Sequence, residues 1–245
     1  MRYEAPETKG EAVSLLAMAE GSGRILAGGT DLLVQLRSGV VKPGVVVDIK
    51  KIVETREITA ENGGFRVGAA VTGAELDEHK ALKKLWPGVV EAVELIGSTQ
   101  IQGRASMGGN LCNASPAADS VPALIAAGAQ CHIAGPDGER TLPVEGFCTG
   151  PGVTNLQTGE FLVSFTLPSR PRHSGDAYLR FIPRTEMDIA VVGVGVSLSL
   201  DSNGICVAAR VGLGAVAATA LLVAEAADAL IGTSVDEGAI ENMIS

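Results

Sequence analysis

The sequence predicts an α+β protein in three parts, residues 1–55, 56–170 and 176–245. Three observations support this fold class. Helix-like and strand-like segments alternate in the first part, a hairpin signal and separate helices occupy the second, and strand-like segments dominate the third. A chain of 245 residues with 46% apolar and 19% charged residues can bury a sizeable core and is typical of a globular protein.

The first part is predicted to run helix, strand, helix, strand. Thr8 and Glu11 have the spacing of a capping box, which starts a helix that continues to Met18. The elements that follow are a strand at 24–27, a helix at 31–39 and a buried strand at 45–49.

The second part combines strands with short helices. Asn62-Gly63-Gly64 lies between two strand-like segments and predicts a hairpin, because Asn and Gly accept the positive φ of a tight turn. Thr72 and Glu75 form another capping-box pattern. Further predicted elements are helices at 89–96 and 119–127, strands at 130–133 and 161–167, and a linker at 168–175.

The third part is predicted to be a small α+β unit. Its elements are strands at 177–182, 191–200 and 205–211 and a helix at 218–230. No evident element follows this helix, so we expect an incomplete domain.

Composition and charge argue against several classes of protein. The formal net charge is −9 and aromatic residues make up 3%, which argues against a nucleic-acid partner. No apolar stretch approaches the roughly 20 residues of a membrane-spanning helix, and the N-terminal residues lack the apolar core of a signal peptide. We therefore expect a cytoplasmic protein without a membrane span.

Two short glycine-containing segments carry the functional signal. The first glycine segment is Ala-Gly-Gly-Thr-Asp at 27–31, and the second glycine segment is Ser-Met-Gly-Gly-Asn at 106–110. Paired glycines let the backbone approach a ligand and turn successive N–H groups toward it. Two such loops predict a ligand with two phosphates, or one diphosphate held from both sides. For the first segment alone, a tight strand-to-helix turn capped by Thr30 or Asp31 also explains the residues.

Further candidate residues follow the second glycine segment. Asp119 could accept hydrogen bonds from ribose or ribityl hydroxyls, and it could equally cap the next helix. The four cysteines lack zinc or iron–sulfur spacing, which favours buried reduced thiols, although Cys112 lies close to the second glycine segment. No metal site and no catalytic residue is predicted, since the three histidines have no partner at metal-ligand or triad spacing.

One motif resembles a nicotinamide-dinucleotide site but lacks one of its required features. Residues 212–217 match Gly-x-Gly-x-x-Ala between a strand and a helix. A dinucleotide fold also needs an acidic residue at the end of a second strand about 20 residues later. The acidic candidates Glu225 and Asp228 lie inside the predicted helix, so NAD binding is not predicted there.

The two glycine segments together, in this order, resemble the FAD-binding medium subunit of the molybdenum hydroxylases, the family of aerobic carbon monoxide dehydrogenase and xanthine dehydrogenase. The matching residues are 25–33, 103–111, 114–119 and 184–190, so the resemblance covers nearly the whole chain. It implies the α+β two-part FAD-binding domain shared with vanillyl-alcohol oxidase and p-cresol methylhydroxylase, followed by a small α+β C-terminal domain.

The resemblance also implies a set of FAD-binding residues. Around the pyrophosphate it places Ile25, Leu26, Ala27, Gly28, Gly29, Thr30, Asp31, Leu32, Ser106, Gly108, Gly109 and Asn110. Cys112 belongs to the same set, Asn113 and Asp119 would bond FAD hydroxyls, and Ile96 and Leu162 would pack near the flavin or the adenine. Arg180 falls where a relative has a lysine near the flavin, and a cation there could stabilise reduced, anionic flavin.

The implied partners follow from the same resemblance. FAD would be non-covalent, while the molybdenum cofactor would lie in a large partner subunit and two-iron two-sulfur clusters in a small one. Electrons would pass from those clusters through FAD to an external acceptor, in an assembly expected to be a dimer of heterotrimers. Two alternatives stay open, a self-contained flavin oxidase or reductase and a non-catalytic nucleotide-binding assembly module.

Overall fold

Three sheets of three or more strands follow one another along the chain in the computed structural model, which describes residues 1–185 and 187–244. The first sheet is parallel, with strand order β1-β3-β2. Its elements are β1 Arg2–Glu4, α1 Lys9–Met18, β2 Gly23–Leu26, α2 Leu32–Ser38 and β3 Val45–Asp48. The central strand β3 is wholly buried, which its run of three valines indicates. The predicted helix–strand order is confirmed, whereas β1 was not predicted because Arg2-Tyr3-Glu4 lacks an apolar pattern.

The two predicted capping boxes differ in outcome. At α1 the Thr8 hydroxyl accepts the N–H of Glu11, but the Glu11 carboxylate accepts the N–H of Glu7 at 3.0 Å rather than that of Thr8. At α3, Gly73–Glu78, both halves of the box form between Thr72 and Glu75. At α1 only one of the two capping-box hydrogen bonds forms, whereas the capping box predicted at Thr72 and Glu75 is confirmed.

The second sheet is antiparallel, with strand order β4-β5-β10-β6-β7. Its strands are β4 Ile58–Glu61, β5 Gly64–Gly68, β6 Gln130–Gly135, β7 Gly138–Pro143 and β10 Phe161–Leu167, while β8 Cys148–Gly150 and β9 Val153–Thr154 form a separate small hairpin. The central strand β10 contributes Phe161 and Phe165 to the core. The predicted hairpin is confirmed, since Asn62 and Gly63 both have the positive φ that its turn requires.

Five helices besides α3 accompany this sheet, and they pack around its buried face. They are α4 Lys80–Leu85, α5 Pro87–Glu94, α6 Thr99–Gln102, α7 Met107–Cys112 and α8 Ser120–Ala126. Every residue of α8 is buried, because the helix lies between this part of the chain and the third sheet.

The third sheet is antiparallel, with strand order β11-β12-β13-β14. Its strands are β11 Ser174–Phe181, β12 Val192–Leu200, β13 Cys206–Gly214 and β14 Leu221–Leu222, and the helices α9 Ala224–Leu230 and α10 Glu237–Ile244 follow. Glycines in β12 and β13 admit α8, since a Cβ at Gly195 or Gly212 would lie within 2.5 Å of the Pro122 carbonyl oxygen.

Two predictions for the third part need correction. The predicted helix 218–230 begins only at Ala224, because Leu221–Leu222 pairs with β13 as an edge strand. A last helix, α10, follows where no element was expected. Among the described residues no helix is long and apolar enough to cross a membrane.

The segment predicted as a linker is firmly packed. The Arg170 guanidinium stacks 4.3 Å from the centre of the Trp86 ring and pairs with Asp176 at 2.5 Å, and both side chains of the pair are at most 6% exposed. The Asp176 carboxylate also accepts the N–H of Val89 in α5 at 3.2 Å. The connection is therefore a fixed joint between the second and third sheets.

Candidate functional site

A cavity of about 460 Å³ lies between the first and second parts of the chain. Both glycine segments line it, as do Ile25, Leu32, Ile96, Cys112, Asn113 and Leu162. Of the predicted FAD-binding residues, only Leu26, Asp119 and Arg180 do not line it. The structure thus brings most of the predicted set into one cavity, and their contacts with a cofactor stay predictions.

The first glycine segment is a tight turn between β2 and α2. Gly29 has a φ of 84°, which favours glycine. Gly28 packs against the backbone before the second glycine segment, since a Cβ there would lie 1.9 Å from the Arg104 carbonyl oxygen. Within the described part of the chain, the N–H groups of residues 28–31 have no hydrogen-bond partner. Four successive donors are therefore available at the cavity wall.

The predicted caps of this turn are not made. Asp31 occupies the N-cap position of α2, but its carboxylate forms no capping hydrogen bond. Burial raises the pKa of this carboxyl above its usual value. The turn is instead held at its start by Lys50, which donates to the Ala27 carbonyl oxygen.

A partly buried ion pair supports the residue that precedes Gly28 in the first glycine segment. Lys50 Nζ donates to the Ala27 carbonyl oxygen at 2.9 Å and to Asp48 Oδ1 at 2.8 Å. The Tyr3 hydroxyl donates to Asp48 Oδ2 at 2.7 Å. Burial raises the pKa of the Asp48 carboxyl, but the hydrogen bonds from Lys50 and Tyr3 outweigh it, so the net pKa is lowered.

The second glycine segment was predicted as a loop, and that prediction is wrong. It is the first turn of α7, where the Ser106 hydroxyl caps the helix by accepting the N–H of Gly109 at 3.1 Å. Gly108 is needed for packing, because a Cβ would lie 2.3 Å from the Ala69 carbonyl oxygen. Gly109 has no backbone against it, since a Cβ there would meet only the Ser106 side chain, at 3.3 Å from Oγ. The Gly108 N–H has no partner among the described residues.

Asn110, in α7, and Asn113, at its C-terminal end, have the same side-chain orientation: each amide oxygen accepts hydrogen bonds from another part of the protein. The Asn110 Oδ1 atom accepts the N–H of Ser120 at 3.1 Å and its hydroxyl at 2.7 Å. The Asn113 Oδ1 atom accepts from Gln35 Nε2, on α2, at 3.2 Å. Neither amide NH₂ group has a partner in the described structure, so both side chains present donors at the cavity.

Asp119 and Arg180 bind each other and do not line this cavity. Arg180 Nη1 donates to Asp119 Oδ2 at 3.0 Å and to the Leu95 carbonyl oxygen at 2.9 Å, and the Tyr178 hydroxyl donates to Asp119 Oδ1 at 3.0 Å. Burial raises the pKa of the Asp119 carboxyl, with Arg180 and Tyr178 opposing it. The alternative role of Asp119 as a helix cap is wrong, since it caps no N–H of α8. Arg180 is a paired cation rather than a free one.

The thiol at the cavity wall is protonated at neutral pH. Cys112 is exposed at the cavity wall, so the buried position predicted for the cysteines is wrong for it. Desolvation by the surrounding protein, with a smaller contribution from nearby Cys148, raises the pKa of its thiol. Among the described residues, no group of three or more His, Cys, Asp or Glu side chains could hold a metal ion.

Some lining residues carried no signal in the sequence. Gln35 is one, and the others include Gly152 and Thr154 of the β8–β9 hairpin and Glu160. Glu160 is held by Arg140, at 2.7 Å between Oε1 and Nε. These residues reach the cavity only through the packing of distant segments, which no local motif reveals.

Two protein families match the chain. The family described as "FAD binding domain in molybdopterin dehydrogenase" matches residues 1–170. The family described as "CO dehydrogenase flavoprotein C-terminal domain" matches residues 177–245.

Relatives and solved structures agree with these matches. The chain is 36% identical over 203 residues to a xanthine dehydrogenase FAD-binding subunit of Escherichia coli O157:H7, covering 82% of this chain and 69% of that protein. It is 32% identical over 219 residues to the carbon monoxide dehydrogenase medium chain of Hydrogenophaga pseudoflava, covering 89% and 76%.

Among solved structures, a chain of the Cu,Mo-CO dehydrogenase superposes with a TM-score of 0.94 at 30% identity, covering 100% of this chain and 85% of that one. A chain of quinoline 2-oxidoreductase from Pseudomonas putida 86 gives a TM-score of 0.87 at 31% identity, covering 98% and 82%.

Proposed function

The chain belongs to the family of FAD-binding subunits of molybdenum-containing dehydrogenases, and we propose that it holds FAD non-covalently in the cavity between its two glycine segments. It is an oxidoreductase subunit. We propose further that it passes electrons from iron–sulfur clusters of a partner subunit, through FAD, to an external acceptor.

The observation that carries this proposal is the donor set of the cavity. The unpaired N–H groups of residues 28–31, the Gly108 N–H and the amide groups of Asn110 and Asn113 are all donors, and the oxygens of a diphosphate only accept. The apolar side chains of Ile25, Ile96 and Leu162 lie in the same cavity and suit ring systems. A diphosphate joined to two ring systems is the chemistry of FAD.

The role of each part of the chain follows from this placement. Bound FAD supplies the electron-carrying chemistry of the subunit. The turn at residues 28–31 and the start of α7 would hold the pyrophosphate, and Ile96 and Leu162 would exclude water from the rings. The contacts of Asp119 and Arg180 with FAD belong to this proposal too, and the Asp119–Arg180 pair would then act on the flavin as a neutral unit.

The assembly is the second element of the proposal. Family relatives are named as subunits or medium chains, which supports partners that carry the molybdenum cofactor and the iron–sulfur clusters. We infer a large molybdenum subunit, a small iron–sulfur subunit, a dimer of heterotrimers and a cytoplasmic location. Co-purification from the native host followed by mass spectrometry tests the partners, and a subunit that purifies alone from native extract contradicts them.

The test of the FAD site is a titration of the full-length apoprotein with FAD, followed by flavin fluorescence and absorbance. We expect saturable binding with one FAD per chain. A Gly109→Leu variant should bind FAD at least about tenfold more weakly, because its side chain enters the cavity from an open position. Gly10→Leu is the matched control, since a Cβ at Gly10 meets nothing within 4 Å and Gly10 does not line the cavity.

The outcomes separate cleanly. A wild-type chain that shows no FAD titration contradicts the proposed function. Wild-type binding with an unchanged dissociation constant in Gly109→Leu contradicts the placement of FAD at α7.

A further inference from the structure

One hydrogen bond joins the two halves of the cavity. Gln35 lies on α2 in the first part of the chain, and Asn113 follows α7 in the second part. Gln35 Nε2 donates to Asn113 Oδ1 at 3.2 Å, and both residues line the cavity. Gln35 belongs to neither glycine segment.

This hydrogen bond decides what Asn113 can offer a ligand. A carboxamide has one acceptor oxygen and one NH₂ group with two donors. Gln35 Nε2 uses one of the two lone pairs of that oxygen and orients the oxygen toward α2, so the NH₂ group is the part of Asn113 without a partner among the described residues. Ser120 does the same to Asn110, whose oxygen accepts both the N–H and the hydroxyl of Ser120.

We propose that Gln35 is a positioning residue that holds Asn113 as a hydrogen-bond donor, so that Asn113 binds an acceptor atom of FAD, a diphosphate oxygen, and does not accept from an FAD hydroxyl. This inference rests on the proposed function and refines it. It replaces the expected hydroxyl contact of Asn113 with a contact of opposite polarity. If so, α2 contributes the Gln35 side chain to the site as well as the turn at its N-terminus.

The backbone donors beside Asn113 in the cavity wall agree with this polarity. The neighbouring N–H groups of residues 28–31 and of Gly108 are donors without protein partners in the described structure. An Asn113 amide that donates extends the same donor set, which is complementary to a group that only accepts. An Asn113 oxygen turned to the cavity would interrupt it.

The test compares two substitutions of opposite polarity at one position, by fluorescence titration of the full-length apoprotein with FAD. Asn113→Leu removes the donor and should weaken FAD binding about tenfold. Asn113→Asp still accepts from Gln35 and places its second, anionic oxygen at the cavity. It should weaken binding about a hundredfold. Asn113→Asp that binds FAD as tightly as Asn113→Leu, or more tightly, overturns the proposal.

A charge-matched control removes the general effect of one added negative charge. Val34→Glu adds that charge on α2, the helix of Gln35, at a side chain that is 65% exposed and outside the cavity. It should change the FAD dissociation constant by less than about threefold. A loss in Val34→Glu equal to that in Asn113→Asp overturns the proposal, because charge alone would then explain the result.

The positioning role of Gln35 has its own readout. Gln35→Glu offers only acceptors, so it should draw the Asn113 NH₂ group away from FAD and weaken binding more than Gln35→Leu does. In the Asn113→Leu background this extra loss should shrink to the effect of the added charge alone, since no amide remains to be turned. An extra loss that is undiminished in that background overturns the role of Gln35. If wild-type chain binds no FAD, the proposed function fails; if it binds FAD and these variants match it, only this inference fails.

Discussion

The two glycine segments look alike in sequence and are built differently. Residues 28–31 form a turn with one left-handed glycine and no side-chain cap, and its donors are unpaired within the described structure. Residues 106–110 begin a helix whose first turn is capped by Ser106. The first segment is held from outside by Lys50, whereas the second is held by its own serine. Similar residue patterns can therefore present backbone donors through different supports.

The glycines also differ in the space that surrounds them. Gly28 and Gly108 are required because protein backbone occupies the space of a side chain, and Gly109 is not constrained in this way. A substitution that affects ligand binding alone is therefore expected only at Gly109.

The largest effect is expected from Gly28→Ala. Its Cβ would lie 1.9 Å from the Arg104 carbonyl oxygen, so backbone must move. We expect the free energy of unfolding in urea to fall by about 3 kcal/mol or more. Gly109→Ala is the control and should change the free energy of unfolding by no more than about 1 kcal/mol in either direction, since its Cβ would meet only the Ser106 side chain. An equal loss in both variants would remove the distinction between the two glycines.

The next effect is expected from Lys50→Met. The substitution leaves the Ala27 carbonyl oxygen without its donor and Asp48, with a side chain 10% exposed, without its cation. We expect a loss of about 2 kcal/mol in the free energy of unfolding. Lys51→Met is the matched control, since Lys51 is 61% exposed and makes only a 3.9 Å ion pair with Glu7. It should stay within about 0.5 kcal/mol. Equal losses would show that Lys50 is an ordinary surface lysine.

A smaller effect is expected from Ser106→Ala. Loss of the N-cap hydrogen bond to Gly109 should lower the free energy of unfolding by about 1 kcal/mol. The same experiment on Asp31→Ala should give no loss beyond about 0.5 kcal/mol, because Asp31 caps nothing. A larger loss for Asp31→Ala than for Ser106→Ala would reverse the comparison of the two supports.

The smallest effect concerns pH. The pKa of Asp48 is lower in the folded chain than its usual value of 3.8, so its contribution to stability is present above that value and is lost as the pH falls below it. The stability difference between wild type and Asp48→Asn should therefore shrink from pH 5 to pH 2. The difference between wild type and Ser106→Ala should stay constant, since serine does not titrate. A parallel decline in both differences would count against the assignment of the acid sensitivity to the first segment.

Local sequence patterns identified the two glycine segments that line the cavity, but they did not identify the contacts that hold these segments in place. Glycine pairs after apolar segments are a local feature, and both pairs line one cavity. The helix α7 was missed because two glycines in its first turn disfavour helix, and tertiary packing of Gly108 on Ala69 overrides that preference.

The contacts that orient the site could not be predicted from the sequence. Lys50 reaches Ala27 across 23 positions, Arg180 reaches Asp119 across 61, and Gln35 reaches Asn113 across 78. Such pairs are set by the way the sheets and helices pack, and polar side chains of this kind look like ordinary surface residues in the sequence. For this reason Asp119 and Arg180 were predicted as separate contacts and not as partners.

The packed joint between the second and third sheets would hold the protein together even if the peptide bond after Arg172 were cut. Arg172 is exposed, whereas Arg170 and Asp176 on either side of it are buried and paired. The Asp119–Arg180 pair and the contact of Asp176 with α5 also cross this joint. A chain nicked after Arg172 would therefore stay together through these contacts.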